Sequence, residues 1–187
     1  MWFAVGTLVL ALAGCHGGVH HRGEWEATGD VSFGFPAGQF LFSSGGAGAP
    51  ELGLRAGLGT FVRDRTELLA MGVYRYYSPE SGSLNAGEAQ LGLRYYPPIE
   101  FHIKKAPVAP FLDAFGGVMH ASATFPVDGT STNVTGEWGA GLEVILGEHT
   151  SLFGGYHFRH LSNGGGNVPE NPGYNNNQFF LGFGWRW

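Results

Sequence analysis

His160 and Ser162 are the two residues whose types and spacing suggest chemistry first. They stand two apart at the end of an alternating stretch, so in a β-strand both side chains point to the same face. Two residues of strand rise separate their Cβ atoms by about 6–7 Å. At that separation a hydroxyl and an imidazole can reach each other and act as nucleophile and general base. His-x-Ser alone is a weak signal, because the same pair often occurs at a solvated loop entrance. The surrounding residues decide what it means. Arg159-His160-Leu161-Ser162-Asn163 leads into a glycine run, and Glu170-Asn171-Pro172-Gly173-Tyr174-Asn175 follows.

The elements that must hold this pair read as strands. Periodicity gives eight, over approximately 24–35, 50–62, 65–77, 87–97, 108–121, 134–146, 149–160 and 176–187, with no helical period. Each is long enough to cross a bilayer as a tilted strand. Leu52, Leu54, Ala56 and Leu58 oppose Glu51, Gly53, Arg55 and Gly57. Phe179, Leu181, Phe183, Trp185 and Trp187 oppose Gly182, Gly184 and Arg186. The third strand is apolar on both faces, and its orientation stays open.

Composition says which face is outside. Charged residues are only 13% of the 187, against roughly 25% in soluble domains, while glycine reaches 33 residues and aromatics 14%. A soluble barrel would turn long charged side chains outward. Here the outward set is Leu, Val, Phe and Trp, with Trp and Tyr near strand ends, and the inward set is glycine with a few charges. Glu137, Glu143, Arg55, Arg94 and Asp113 are expected to form a charged ladder in the lumen, with His157 satisfied by its carboxylates. Connections alternate short (Arg63-Asp64, Gly147-Glu148) and long (Pro36–Ala49, Ser78–Ala86, Ser122–Asn133, Leu161–Asn175), as periplasmic turns and outer loops do. One turn, Pro98 to Pro107, is longer than this pattern wants. The expectation is an all-β, eight-stranded, antiparallel up-and-down outer-membrane β-barrel over residues 24–187. His160 and Ser162 then lie on its lipid-facing side at the outer rim, together with Leu152, Tyr156 and Phe158.

Residues 1–14 read as an export signal and 15–23 as a linker. Leu12-Ala13-Gly14-Cys15 resembles a bacterial lipobox, which would make Cys15 a lipidation site. Ala11-Leu12-Ala13 equally fits an ordinary cleavage site, and no Lys or Arg precedes Cys15. A single cysteine excludes an internal disulfide. The net charge of −5, with no basic block, argues against nucleic acid as a partner. The histidines form no spacing that suggests a metal site.

The stretch 159–175, with His160-Leu161-Ser162-Asn163, Gly164-Gly165 and Asn171-Pro172-Gly173 before a final strand, resembles the lipid A 3-O-deacylase (PagL) family. That resemblance implies an esterase in the bacterial outer membrane, without a cofactor, acting on lipid A or lipopolysaccharide. It implies Ser162 as nucleophile and His160 as general base, with Asn163 and the backbone amide near Gly165 stabilising the oxyanion. The family orients its histidine with a glutamate. The corresponding place here is Asn175, with Glu170 as the alternative. The rival expectation is a non-catalytic barrel with an anchoring or surface-interaction role. A homodimer stays open.

Overall fold

The computed structural model describes residues 20–36, 49–79, 82–126, 129–163 and 173–187. The strands are β1 Trp25–Pro36, β2 Glu51–Arg63, β3 Thr66–Tyr77, β4 Leu84–Tyr95, β5 Phe101–Ile103, β6 Ala106–Ala121, β7 Thr132–Ile145, β8 Thr150–Ser162 and β9 Tyr174–Arg186. All pairings are antiparallel, in the order β4-β3-β2-β1-β9-β8-β7-β6, and β4 pairs with β6 to close the ring. Eight strands therefore make a barrel without an edge. The ninth, β5, is a three-residue ribbon on the lower end of β6, and it occupies the long turn between Pro98 and Pro107.

Burial follows the pleat along most of the barrel wall, except at the upper end of β9, where the first five residues are buried on both faces. Leu52, Leu54 and Leu58 of β2, Leu91 and Leu93 of β4, and Phe179, Leu181, Phe183 and Trp185 of β9 are exposed. Glu51, Arg55, Arg75, Glu88, Arg94, Glu137 and Arg159 are buried. A soluble fold inverts this distribution. An apolar outer belt around a polar lumen is the arrangement a bilayer selects, since each backbone group is paired within the closed sheet. β3 takes its orientation from its two charges, with Glu67 and Arg75 inward and Leu68, Tyr74 and Tyr76 outward.

The lumen is filled in layers. At the outer end Tyr77, Met119, Phe125, Leu161 and Tyr174 pack together. Beneath them Glu137 is the hub of an ion network, contacting Arg55 at 3.2 Å, Arg159 at 2.6 Å and Arg75. Glu88 meets Arg75 at 2.7 Å and Arg159 at 3.1 Å, and Glu51 meets Arg75 at 2.7 Å. His157 Nε2 lies 2.8 Å from Asp113 Oδ1, as expected for a lumen histidine held by carboxylates. The Arg94 guanidinium lies 4.4 Å from the Phe111 ring centroid and 4.9 Å from that of Phe153. Space for these rings comes from glycine opposite them, since a Cβ at Gly92 would overlap the Phe115 ring and one at Gly141 the Phe111 ring. Glu143 belongs to a lower layer, paired with Arg186 and with His20 at 3.1 Å.

His20 is buried and stacked on Phe61, with centroids 4.7 Å apart, and the Gly23 amide donates to the Phe61 carbonyl. Residues 20–23, read from sequence as the end of a linker, thus seat in the lower mouth of the barrel. Residues 1–14, read from sequence as an export signal, and Cys15, Gly165 and Glu170 lie outside the described residues.

Candidate active site

β8 rises from the lower turn to the outer rim and β9 descends beside it. Their register sets His160 opposite Asn175, Phe158 opposite Asn177 and Tyr156 opposite Phe179. Both strands run further than the hydrophobic pattern suggests. β8 continues to Ser162 and β9 begins at Tyr174, so His160, Ser162 and Asn175 all lie within regular strand. This has a direct geometric effect. Side chains directly opposite each other on one face of an antiparallel pair have Cβ atoms about 4.5–5.5 Å apart, close enough for an imidazole and a carboxamide to bond.

They do bond. His160 Nδ1 is 2.7 Å from Asn175 Oδ1. A carboxamide oxygen only accepts, so the Nδ1–H of His160 donates and Nε2 is left as the basic nitrogen. Asn175 is buried at 6% exposure, while the His160 ring is exposed on the outside of the barrel. The carboxamide therefore supports the ring from the sheet side and leaves its other edge open. Gly173 lies close against the ring, where a Cβ would stand 3.3 Å from His160 Cε1.

Ser162 is two residues beyond His160 on the same outward face, half-buried, and pairs in register with Val134. Asn163 follows at the mouth of the outer loop, also half-buried. On the opposite flank the register partner of His160 is Gly136, and that of Gly136 is Gly116. A Cβ at either glycine would meet nothing within 4 Å. The surface beside the imidazole is thus a strip of bare backbone, open to a flat molecule arriving from the β7 side.

Sequence reasoning placed Tyr156 on this face but missed Asn177 and the hydrogen bond between the two, just below the pair. The signal was present. Asn175 and Asn177 are polar residues at outward positions of a strand whose remaining outward positions are Phe, Leu and Trp. Among the described residues no cluster of His, Cys, Asp or Glu could hold a metal ion.

Closure with eight strands, an apolar belt and a filled lumen define a small outer-membrane β-barrel, with a bonded imidazole at its lipid-facing rim. The sequence profile of the lipid A 3-O-deacylase (PagL) family matches residues 20–184, and the chain belongs to that family. The match places it in the bacterial outer membrane. No curated protein matches the chain. Among solved structures, Neisserial surface protein A is similar over 88% of this chain and 98% of its own, with 15% identity and a TM-score of 0.55. The N-terminal barrel domain of Pseudomonas aeruginosa OprF covers 89% of this chain and 98% of its own, with 15% identity and a TM-score of 0.53. The outer membrane enzyme PagL covers 82% of this chain and 97% of its own, with 23% identity and a TM-score of 0.54. At these identities the likeness is one of fold.

Proposed function

We propose that this protein is an outer-membrane serine esterase that hydrolyses the 3-O-linked acyl ester of lipid A or a related glycolipid. The observation that carries the reading is the 2.7 Å bond between His160 and Asn175 on the lipid-facing rim. A rim histidine in one fixed tautomer has no use in a membrane anchor, but an ester between headgroup sugar and acyl chain lies at that depth.

In this reading Ser162 Oγ attacks the ester carbonyl while His160 Nε2 takes its proton. The carbonyl oxygen becomes an oxyanion, met by the Asn163 side chain and the backbone N–H near Gly165. Collapse breaks the C–O bond to the sugar. The leaving oxygen takes the proton from His160, and the acyl group remains on Ser162. Water then attacks, with His160 again as base, and the free fatty acid leaves. Asn175 holds the ring in the tautomer this sequence needs, though without the charge a glutamate would add for the imidazolium. Glu170 is the alternative supplier of that charge. The neutral Asn175 is also the one observation that favours the rival reading of a non-catalytic barrel.

The test is direct. The full-length protein, refolded in detergent with lipopolysaccharide, is expected to release free 3-hydroxy fatty acid detectable by mass spectrometry. Ser162→Ala and His160→Ala should each abolish release. No release under conditions where an active deacylase works would favour the non-catalytic barrel.

A further inference from the structure

The connection from β4 to β6 carries β5 and hangs below the barrel wall, whereas the other lower turns, at Asp64-Arg65 and Gly147-Glu148, are tight. Its residues are not those of a solvated turn. Ile99, Phe101 and Ile103 are exposed, at 59%, 40% and 56%. Lys104 and Lys105, the chain's two lysines, form its tip and are exposed as well. Lys104 has a φ of 59°, in the left-handed region where glycine or asparagine is usual. Neither lysine has an ion-pair partner among the described residues, and the hairpin's own carboxylate, Glu100, is taken by Arg65 at 3.2 Å.

We propose that the β5–β6 hairpin anchors the barrel to anionic phospholipid headgroups in the leaflet at its lower end, opposite the outer rim; this does not depend on the esterase reading. Continuity with the apolar belt comes first. In β6, Leu112, Pro110 and Val108 share the outward face, and Leu112 is exposed on the lipid-facing wall. Val108 is in register with Phe101, and Ala106 with Ile103, so Phe101 and Ile103 stand on that same face. The belt therefore continues from the wall onto the hairpin. β4 leaves β6 at Leu112, and β6 runs seven residues further down to Lys105, about 23 Å of tilted strand. Going down, the apolar side chains come first and the two ammonium groups last. A leaflet presents acyl chain and then phosphate in the same order, and lysine stems can follow apolar surface to reach the headgroup.

Charge then selects the headgroup. The exposed cations of the chain, Arg22, Arg63, Lys104 and Lys105, all lie at this end of the barrel. The other arginines are buried in the lumen, apart from Arg65 with its partner Glu100. A lone phosphodiester charge attracts both ammonium groups, whereas a choline headgroup brings its own cation to the same place. Each lysine near an anionic surface is worth about fivefold in affinity. The hairpin is also held in place at its root. Arg65 donates to the Pro97 carbonyl at 3.0 Å and grips Glu100, tying the connection to the β2–β3 turn. A soluble protein partner would have to cover a face that already continues the lipid-facing wall, which favours lipid.

The experiment gives full-length protein in dodecyl maltoside an equimolar mixture of phosphatidylglycerol and phosphatidylcholine with matched acyl chains. The lipids retained are counted by native mass spectrometry. The wild type is expected to retain phosphatidylglycerol over phosphatidylcholine by at least about fivefold. Lys104→Gln with Lys105→Gln should bring that ratio to within about twofold of one, while Lys104→Arg with Lys105→Arg should keep it. Phe101→Ser with Ile103→Ser should lower the phosphatidylglycerol retained by at least about threefold. Folding of each variant is read from heat-modifiable migration, and the exposed lysine pair decides if the serine variant does not fold. A wild-type ratio near one overturns the anchor, as does a loss in the arginine variant equal to that in the glutamine variant. Retention unchanged in the folded glutamine or serine variant, the result if the hairpin instead docks a periplasmic protein, overturns it too.

Discussion

Asn175 Oδ1 stands 2.7 Å from His160 Nδ1, across two antiparallel strands in direct register, with the amide buried and the ring exposed. The sheet itself supplies the partner, so the ring's direction is set by strand register. Register in a closed barrel is hard to change, because a one-residue slip turns every side chain to the other face. The direction of the imidazole is therefore fixed by the fold.

A neutral orienter leaves room for improvement. Asn175→Asp keeps the shape and puts a carboxylate against the ring nitrogen, making a charge-assisted bond roughly twice as strong. If about 1.4 kcal/mol of that reaches the transition state, kcat rises roughly tenfold. Asn175→Leu removes the acceptor and is expected to lower kcat on the order of 10²-fold with little change in KM. Steady-state kinetics on a soluble ester in detergent checks both. Equal rates for all three proteins would show that Asn175 does not orient the base.

The bare strip beside the imidazole makes a separate expectation. Gly136→Leu adds a side chain that meets nothing within 4 Å in the protein, on a face where leucine suits lipid. The barrel should fold as before. Activity on lipopolysaccharide is expected to fall roughly tenfold or more, through KM, because the leucine occupies the approach to His160. An unchanged KM would mean that substrate arrives from elsewhere.

Glu137 carries the lumen network. It contacts Arg55, Arg75 and Arg159, all buried, and accepts from Gln90. Removing one partner from a buried ion network leaves charges unpaired and costs about 3–5 kcal/mol. Glu137→Ala is accordingly expected to lower the unfolding free energy, read from urea titration in micelles, by that amount, and Glu137→Gln by less. A midpoint within error of wild type would contradict the network's role in stability.

The outer belt is tested at Leu181, mid-strand on β9 and 68% exposed. Leu181→Arg puts a charge near the bilayer midplane and should destabilise the folded barrel in phospholipid by about 2–4 kcal/mol. In a water-exposed barrel the same change would be close to neutral.

Much of this was legible in the residues, and the exceptions have physical causes. Alternation in β2, β4 and β9 gave both fold and facing, because apolar and polar or glycine positions separate cleanly there. β3 was ambiguous because Leu69, Met71 and Val73 pack inside among the lumen layers while Leu68 and Tyr74 face lipid. The turn after Pro97 looked too long because three of its residues form β5. His160, Ser162 and Asn175 could be singled out by type and by family resemblance. The bond between His160 and Asn175 could not, since hydrophobicity marks a strand only while it lies in the membrane. β8 and β9 extend past that limit as polar strand, to Ser162 and from Tyr174. The Tyr156–Asn177 pair was hidden for the related reason that a cross-strand partner 21 positions away depends on register.

The central claim is that His160, held by Asn175, activates Ser162. Labelling with a fluorophosphonate, which reacts with an activated serine and spares ordinary ones, tests it without any assumption about the natural substrate. Tryptic mass spectrometry of the refolded wild type should find the label on Ser162, with labelling abolished in His160→Ala and much slowed in Asn175→Leu. A folded wild type that stays unlabelled, or a label on Ser162 that persists at the same rate in His160→Ala, would contradict it.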